Sequence, residues 1–283
     1  MMQFMLKFIT LHHFVLINFM EIFLMNFAAA AVPVIPVRKE PSHISEMVNQ
    51  LLFGETVEVL EEKDTWCRIL SLHDDYDGWV QALQLESIDR TLARSPLTWV
   101  LLPEAIGDHI DCTGKDKMFC PLGSVLTGFD GEEGNIGNLN YTYSGIGAIL
   151  FSAMIPNEKA LLQQVSLWYN TPYLWGGRTQ MGADCSGFVQ VLFRSIGIEL
   201  LRDAVHQASE GEVVDFLQQA QCGDLAFFDD GEGNIQHVGV LLSPFEIVHA
   251  YGKVRKDKMD HEGIINAETG ERTHRLRIIK RYF

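Results

Sequence analysis

The spacing of apolar residues changes near residue 156, and this change restricts the possible folds more than any other feature. Before it, apolar and polar residues alternate in short runs such as ETVEVLEE and YDGWVQAL, separated by Gly, Asp and Pro. Such runs predict short strands joined by tight turns. After it, EKALLQQVSLWYN and then Phe188, Val189 and Leu192 follow helical spacing, and four short apolar runs come later. The order predicts small all-β barrels followed by an α+β domain.

Four segments are therefore expected along the 283 residues. Residues 1–31 form an apolar extension, 32–92 and 93–155 form two small β units, and 156–283 form the α+β domain. The second β unit is rich in glycine, as in GSVLTGFDGEEGNIGNL, and it is too irregular to align with the first. Its relationship to the first barrel therefore stays open.

The apolar extension does not predict a membrane span. Its longest uncharged run, residues 22–37, contains two prolines and is shorter than the roughly 18 to 20 residues that a spanning helix needs. Two interpretations remain open: a weak export signal ending in the small residues 28–31, or an extension ahead of a start at Met20 or Met25. We favour the second, which places the protein in the cytoplasm.

The charge of the chain limits its partners. There are 37 acidic and 22 basic residues, a formal net charge of −15, so no basic surplus exists to bind nucleic acid or an anionic membrane. The five cysteines form no CxxC pair and no Cys/His cluster with zinc-ligand spacing, so neither a metal nor another cofactor is predicted. We expect a monomer.

The segment GADCSGFVQVLF contains the residue best suited to nucleophilic chemistry. Cys185 lies at the predicted start of a helix, between Asp184 and Ser186. A thiol in the first helical turn lies near unpaired backbone N–H groups, which favour the thiolate and can also bind an oxyanion. A lone cysteine on a helix is more often a packing residue, so the assignment depends on a base elsewhere in the chain.

Two histidines can supply that base. His237 opens the apolar strand HVGVLL, and His249 lies 12 residues later inside IVHAY. Side chains on neighbouring antiparallel strands can touch, so one imidazole can hold the other in the required tautomer. The alternative is that His249 is a hydrogen-bonded core residue and His237 a surface residue.

Four motifs within residues 156–283 resemble those of the NlpC/P60 cysteine peptidases. They are YLWGG, DCSGFV, GDLAFF and HVGV, and they occur in the order of that family. The resemblance implies a papain-like α+β fold. It also implies that Cys185 is the nucleophile, His237 the general base and acid, and His249 the residue that orients His237.

The resemblance continues upstream of the predicted catalytic domain. VIPVRKEPSHISEMVNQLLFGE and DDYDGWV are similar to the first bacterial SH3 domain of a subgroup that cleaves γ-D-glutamyl-diaminopimelate bonds in short cell-wall peptides. That subgroup requires a free N-terminal L-alanine, so the resemblance implies that Tyr76, Asp184 and Ser186 hold its ammonium. It also implies a murein peptide as partner. The structural alternatives are a barrel aromatic, a helix cap and a first-turn residue.

Some features leave other functions open. Cys222 stands where the family commonly has proline, and His206 where a small polar residue is common, although neither change removes a proposed catalytic group. One competing hypothesis is a catalytically inactive protein that binds or scaffolds wall peptides. Another is an amidase or acyltransferase that uses the same three residues.

Overall fold

Seven strands near the N-terminus form one antiparallel sheet in the computed structural model, which describes residues 26–102, 108–113 and 117–283. They are β1 (Phe27–Ala30), β2 (Val34–Arg38), β3 (Met47–Leu52), β4 (Thr56–Lys63), β5 (Trp66–Ser71), β6 (Asp77–Gln81) and β7 (Leu85–Ser87). Their order is β3-β2-β6-β5-β4-β1-β7. Leu51 and Leu85, from the two edge strands, lie in one hydrophobic core, so the sheet curls into a barrel.

The first strand of this barrel begins ahead of the predicted start at residue 32. Ala28 and Ala30 belong to the barrel core, whereas Ala29 belongs to the core of the next unit. A strand that is buried on both faces shows no alternation of apolar and polar residues, so its sequence gave no strand signal. The small residues also considered as the end of an export signal therefore form part of the barrel. The rest of the predicted extension, residues 1–25, lies outside the described residues.

A second β unit packs against the barrel after a short helix, α1 (Arg90–Ala93). Its strands are β8 (Trp99–Leu101), β9 (His109–Cys112), β10 (Lys117–Met118), β11 (Glu133–Ile136), β12 (Leu139–Ser144) and β13 (Ala148–Leu150). They form a four-stranded sheet, β10-β9-β12-β11, and a separate pair, β13-β8. The ring of Phe53 from the barrel meets Tyr141 edge to face at 5.4 Å, and both lie in the shared core.

The C-terminal unit combines helices with a long antiparallel sheet. Its helices are α2 (Glu158–Ser166), α3 (Cys185–Arg194) and α4 (Ala204–Gln207). Its strands are β14 (Arg178–Thr179), β15 (Gly182–Ala183), β16 (Glu212–Val213), β17 (Leu225–Asp229), β18 (Ile235–Ser243), β19 (Glu246–Tyr251), β20 (Lys253–Asp260), β21 (Gly263–Ile265) and β22 (Arg272–Arg281). The main sheet has the order β16-β22-β17-β18-β19-β20-β21. Because β21 also pairs with β22, six of its strands close into a ring.

Helix α3 lies at the centre of the molecule, and all ten of its residues are buried. Its apolar residues share a core with Val238, Val240 and Val248 of the sheet. Its polar residues point at the barrel, where Gln190 Nε2 donates a hydrogen bond to Asp74 Oδ2 at 2.9 Å. The helix is therefore fixed by the sheet on one side and by the barrel on the other. In the part of the chain that the structure describes, no helix is long and apolar enough to cross a membrane.

A buried ionic network joins the barrel to the C-terminal unit. Glu55 accepts hydrogen bonds from Arg178 at 2.8 and 2.9 Å, and Arg194 of α3 donates to the same carboxylate. The ring of His73 lies 3.4 Å from it. Burial alone would raise the pKa of Glu55, but Arg178, His73 and Arg194 together lower it well below its usual value. The carboxylate is therefore ionised and is shared by two buried guanidinium groups.

Candidate active site

Cys185 is the first residue of α3, and the turn before it is held in a fixed conformation. Asp184 caps the helix, with its Oδ1 accepting from the backbone N–H of Gly187 at 2.7 Å. A Cβ atom on Gly187 would lie 2.2 Å from the carbonyl oxygen of Gly177, so only glycine allows this approach. The motif residues around the cysteine therefore position the thiol at the helix N-terminus.

Asp184 has more partners than a helix cap needs. Arg202 Nη1 lies 3.0 Å from its Oδ1 and Arg202 Nη2 lies 2.6 Å from its Oδ2. The N–H of Gly176 donates to Oδ2 at 2.9 Å, and the hydroxyl of Ser186 lies 3.3 Å from Oδ1. With Gly187, five donors reach a carboxylate that has about four lone-pair sites. No lone pair is left for an ammonium, so the geometry does not support the predicted direct contact between Asp184 and a substrate amine.

The thiol of Cys185 is 8% exposed. Burial, and next the Asp184 carboxylate, raise its pKa to about 11, although backbone N–H groups of Val238 and Ser186 act in the opposite direction. The helix-start argument predicted a thiolate, and the structure contradicts it because desolvation outweighs the partial charge of the N–H groups. Removal of the thiol proton therefore has to accompany the attack on a substrate.

Alkylation of Cys185 in the ligand-free protein is expected to accelerate about tenfold per pH unit between pH 7 and pH 10, since only the thiolate reacts. The measurement is the rate of iodoacetamide addition to the Cys185 peptide, followed by mass spectrometry. A rate that is already constant below pH 8 would show instead a thiolate stabilised by a charged imidazole.

The two predicted histidines lie side by side. His237 is on β18 and His249 on β19, with His237 Nε2 and His249 Nδ1 2.8 Å apart. The residue directly opposite His249 in the register is Gly239, where an added Cβ atom would lie 2.8 Å from the Cβ of His249. On its other side, His249 Nε2 lies 3.0 Å from Oδ2 of Asp257.

The surroundings of both imidazoles favour the uncharged ring. Burial, with His249 and His274 adding to it, lowers the pKa of His237 well below its usual value. Burial also lowers the pKa of His249, although Asp257 acts in the opposite direction. The backbone N–H of Val238, the residue after His237, reaches the Cys185 sulfur, so an imidazole that can accept a proton lies on the strand that contacts the thiol.

A third histidine, His274 of β22, was not predicted to belong to the site. Its ring stacks on that of His237, with centroids 4.1 Å apart and planes at 24°. Burial, and next His249, lower its pKa to about 4. One ligand atom from each of the three rings lies within 4.8 Å of the others, a spacing that a metal ion could use. However, two of these nitrogens are 2.8 Å apart, whereas tetrahedral zinc holds its nitrogen ligands about 3.3 Å apart.

Two tyrosines lie near Asp184, one from the barrel and one from the C-terminal unit. Tyr76, in the loop between β5 and β6, donates a hydrogen bond to the carbonyl of Val48 at 3.2 Å. Burial, and next the Asp203 carboxylate, raise its pKa to about 12. Tyr173 also has a pKa raised to about 12, by burial and then by Cys185 and Asp184, which places its phenol beside the nucleophile. Tyr173 lies in the quoted YLWGG motif, but its role was not predicted.

Asp203 is a further group that the sequence analysis did not select. It is half-buried next to Arg202, and burial raises its pKa although Arg202 and His206 act the other way. Among the residues that the structure describes, its carboxylate has no hydrogen-bond donor. It is therefore the acidic side chain near Tyr76 with lone pairs available to a ligand.

Comparisons with known proteins match two parts of this chain. A model described as the NlpC/P60 family matches residues 170–273, and one described as the bacterial dipeptidyl-peptidase Sh3 domain matches residues 37–85. This chain carries an NlpC/P60 domain and a bacterial SH3 domain. The family is one of peptidoglycan peptidases, and the candidate site lies in its domain.

Two relatives are similar to most of this chain. Each is a gamma-D-glutamyl-L-lysine dipeptidyl-peptidase at 29% identity, one from Bacillus subtilis and one from Bacillus cereus. The first alignment covers 71% of this chain and 71% of the relative, and the second covers 74% and 68%. The probable endopeptidase NlpC of Escherichia coli is 41% identical, over 32% of this chain and 59% of that protein.

Solved structures confirm the predicted fold class. An NlpC/P60 family protein from Bacillus cereus aligns with a TM-score of 0.76 at 18% identity, covering 90% of this chain and 99% of that one. An NlpC/P60 endopeptidase from Photobacterium damselae aligns with a TM-score of 0.63 at 17% identity, covering 90% and 66%. The observed architecture is therefore an α+β domain preceded by one SH3-like barrel and a second β unit.

Other residues noted in the sequence lie outside the group that faces the thiol. His206 is exposed in the last turn of α4. Asp224 binds Arg281 through both carboxylate oxygens, at 2.8 and 2.6 Å, and so has a structural role in the sheet. Cys222 is half-buried near Glu158 and Asp224.

Proposed function

We propose that this protein is a cysteine peptidase that hydrolyses the γ-D-glutamyl-diamino acid bond of cell-wall peptides with a free N-terminal L-alanine. Its role would be the turnover or recycling of murein peptides. The observation that carries the proposal is the buried thiol of Cys185 at a helix start, contacted by the backbone of Val238 on the strand that bears His237, together with the hydrogen-bonded pair His237 and His249. The similarity to two dipeptidyl-peptidases supports the choice of bond.

The proposed reaction begins with the neutral pair. The proton of Cys185 moves to His237 Nδ1 while Sγ bonds to the γ-carbonyl carbon of the D-glutamyl residue. Backbone N–H groups at the start of α3, with the Tyr173 hydroxyl, would stabilise the oxyanion. His237 then returns the proton to the departing amine as the C–N bond breaks. Water attacks the thioester, with His237 as its base, and releases L-Ala-γ-D-Glu and the thiol.

The N-terminal ammonium of the substrate would lie between the barrel and the start of α4. The charges there, from Asp184, Asp203 and Arg202, sum to one net negative charge. Since the Asp184 carboxylate is already saturated, we assign direct contact with the ammonium to Asp203 and to the phenol oxygen of Tyr76. Ser186 accepts from Arg202 Nη1 at 2.9 Å and keeps one lone pair for the ligand. Asp184 then contributes to ammonium binding through its negative charge and through its hydrogen bonds with Arg202, which fix the position of that guanidinium.

N-acetylation of the substrate alanine is expected to lower kcat/KM by at least about 100-fold, because each lost charge-assisted hydrogen bond is worth about 1.5–3 kcal/mol. The measurement compares L-Ala-γ-D-Glu-diaminopimelate and its N-acetyl derivative at one enzyme concentration, with product detection by mass spectrometry. Equal rates would remove the amine pocket from the proposal and leave the peptidase assignment standing.

The role of Asp203 in the amine pocket can be tested with one variant and a matched control. Asp203→Asn is expected to raise KM for the free-amine peptide and to reduce the preference over the acetylated peptide. Asp215→Asn, at an exposed carboxylate of the same unit, serves as the matched control and is expected to change neither value. Identical selectivity in both variants would reject the role of Asp203.

A further inference from the structure

A buried carboxylate lies behind the two proposed catalytic histidines. Asp257 is on β20, and the residue opposite it on β19 is Ile247, so its side chain is diagonal to that of His249 on the same face of the sheet. Its Oδ2 lies 3.0 Å from His249 Nε2, and its Oδ1 accepts from the N–H of Ala267 at 2.8 Å. The residue is 2% exposed.

Asp257 is ionised despite its burial. Burial alone would raise its pKa, but hydrogen bonds from His249, Ala267 and Arg255 lower it to about 2. Arg255 Nη2 donates to Oδ1 at 3.0 Å and Arg255 Nε lies 2.9 Å from Oδ2. Glu268 lies 3.5 Å from the same guanidinium, on the solvent side. The carboxylate can therefore only accept hydrogen bonds.

This restriction fixes the protons on both rings. Since Asp257 only accepts, His249 Nε2 must carry a proton, and in a neutral ring its Nδ1 is then a bare acceptor. His237 Nε2, 2.8 Å away, must therefore donate to it. His237 is also neutral, so its Nδ1 is left with the lone pair that the thiol proton needs.

We propose that Asp257 is a positioning residue that sets the tautomer of His249 and, through it, the tautomer of His237. The tautomer matters here because the resting pair is neutral, whereas an imidazolium would be protonated on both nitrogens. If the order of protons were reversed, His237 would carry a proton on Nδ1 and could not act as base toward Cys185. The catalytic consequence rests on the proposed function, but the proton positions do not.

The first test is on the unchanged protein. In nitrogen-15 NMR spectra of histidine-labelled protein at pH 7, a proton is expected on Nε2 of both His237 and His249 and on neither Nδ1. A proton on Nδ1 of His237 overturns the proposal. This measurement does not depend on substrate, so its outcome is separate from that of the peptidase assay.

The second test is Asp257→Asn, which keeps the shape of the side chain. Its amide oxygen is expected at the Oδ1 position, where Ala267 and Arg255 both donate, so that its NH₂ group faces His249 Nε2. His249 must then accept at Nε2 and donate from Nδ1. We expect the proton of His237 to move to Nδ1, and kcat to fall about 30- to 100-fold with KM nearly unchanged.

Asp224→Asn is the matched control, because Asp224 is equally buried, lies immediately before β17 of the same sheet, and binds Arg281 and a backbone N–H. It is expected to lower thermal stability without changing kcat or the His237 tautomer. Equal losses of kcat in both variants, or an unchanged His237 tautomer in Asp257→Asn, would show that Asp257 has only a structural role. Asp257→Glu, which retains the carboxylate, is expected to keep the parent tautomer.

Discussion

Replacing Cys185 with alanine is expected to lower kcat for L-Ala-γ-D-Glu-diaminopimelate by about 10⁵-fold, because loss of a nucleophile removes the covalent route entirely. Binding is expected to survive, since the proposed amine pocket uses Tyr76 and Asp203. The measurement is the rate of L-Ala-γ-D-Glu release at saturating substrate, together with calorimetric affinity for the intact peptide.

The matched control for this change is Cys222→Ala, at a half-buried thiol of the same unit. It is expected to keep the parent rate. Hydrolysis at the parent rate by Cys185→Ala would reject the peptidase mechanism. A different outcome, in which the parent protein binds the peptide without cleaving it, would favour the scaffold hypothesis. An amidase or an acyltransferase is distinguished by its products. An amidase would release a different fragment, and an acyltransferase would transfer the acyl group to an amine instead of to water.

The local parts of the site were accessible from sequence because they depend on short-range rules. A polar residue before an apolar helical run predicts a helix start, and this is where Cys185 lies. A separation of 12 residues between His237 and His249 suits two strands joined by a tight turn. In each case the geometry follows from one helix or one hairpin, without knowledge of the rest of the fold.

The remaining residues depend on strand register and on contacts between units. Asp257 faces His249 only because β20 pairs with β19 in one register, and His274 reaches the site because β22 lies beside β17. Arg202, which binds Asp184, lies in the loop between α3 and α4. No local pattern encodes these distances. The direction of the thiol pKa was wrong for the same reason, because the packing that buries Cys185 comes from several elements.

Glu55→Gln is expected to lower the free energy of unfolding at pH 7 by about 3–5 kcal/mol, since it leaves buried guanidinium groups without their counter-charge. Arg178 and Arg194 both donate to this carboxylate, and the side chains of all three residues are at most 2% exposed. The measurement is urea unfolding followed by intrinsic fluorescence. Glu58→Gln is the matched control, because its pair with Arg94 lies at the surface with a separation of 2.9 Å. That variant is expected to lose less than about 1 kcal/mol.

The effect of Glu55→Gln should also depend on pH. The folded pKa of Glu55 is lower than the ordinary value of about 4.3, so its contribution is present above that pH and is lost as the pH falls. The difference between parent and variant should therefore narrow below about pH 4.5, where the parent carboxyl begins to take up a proton on unfolding. A difference that stays constant down to pH 3 would mean that shape, rather than charge, explains the loss. Because Arg194 lies at the C-terminal end of the helix that begins at Cys185, a charge effect would also link the barrel to the placement of the nucleophile.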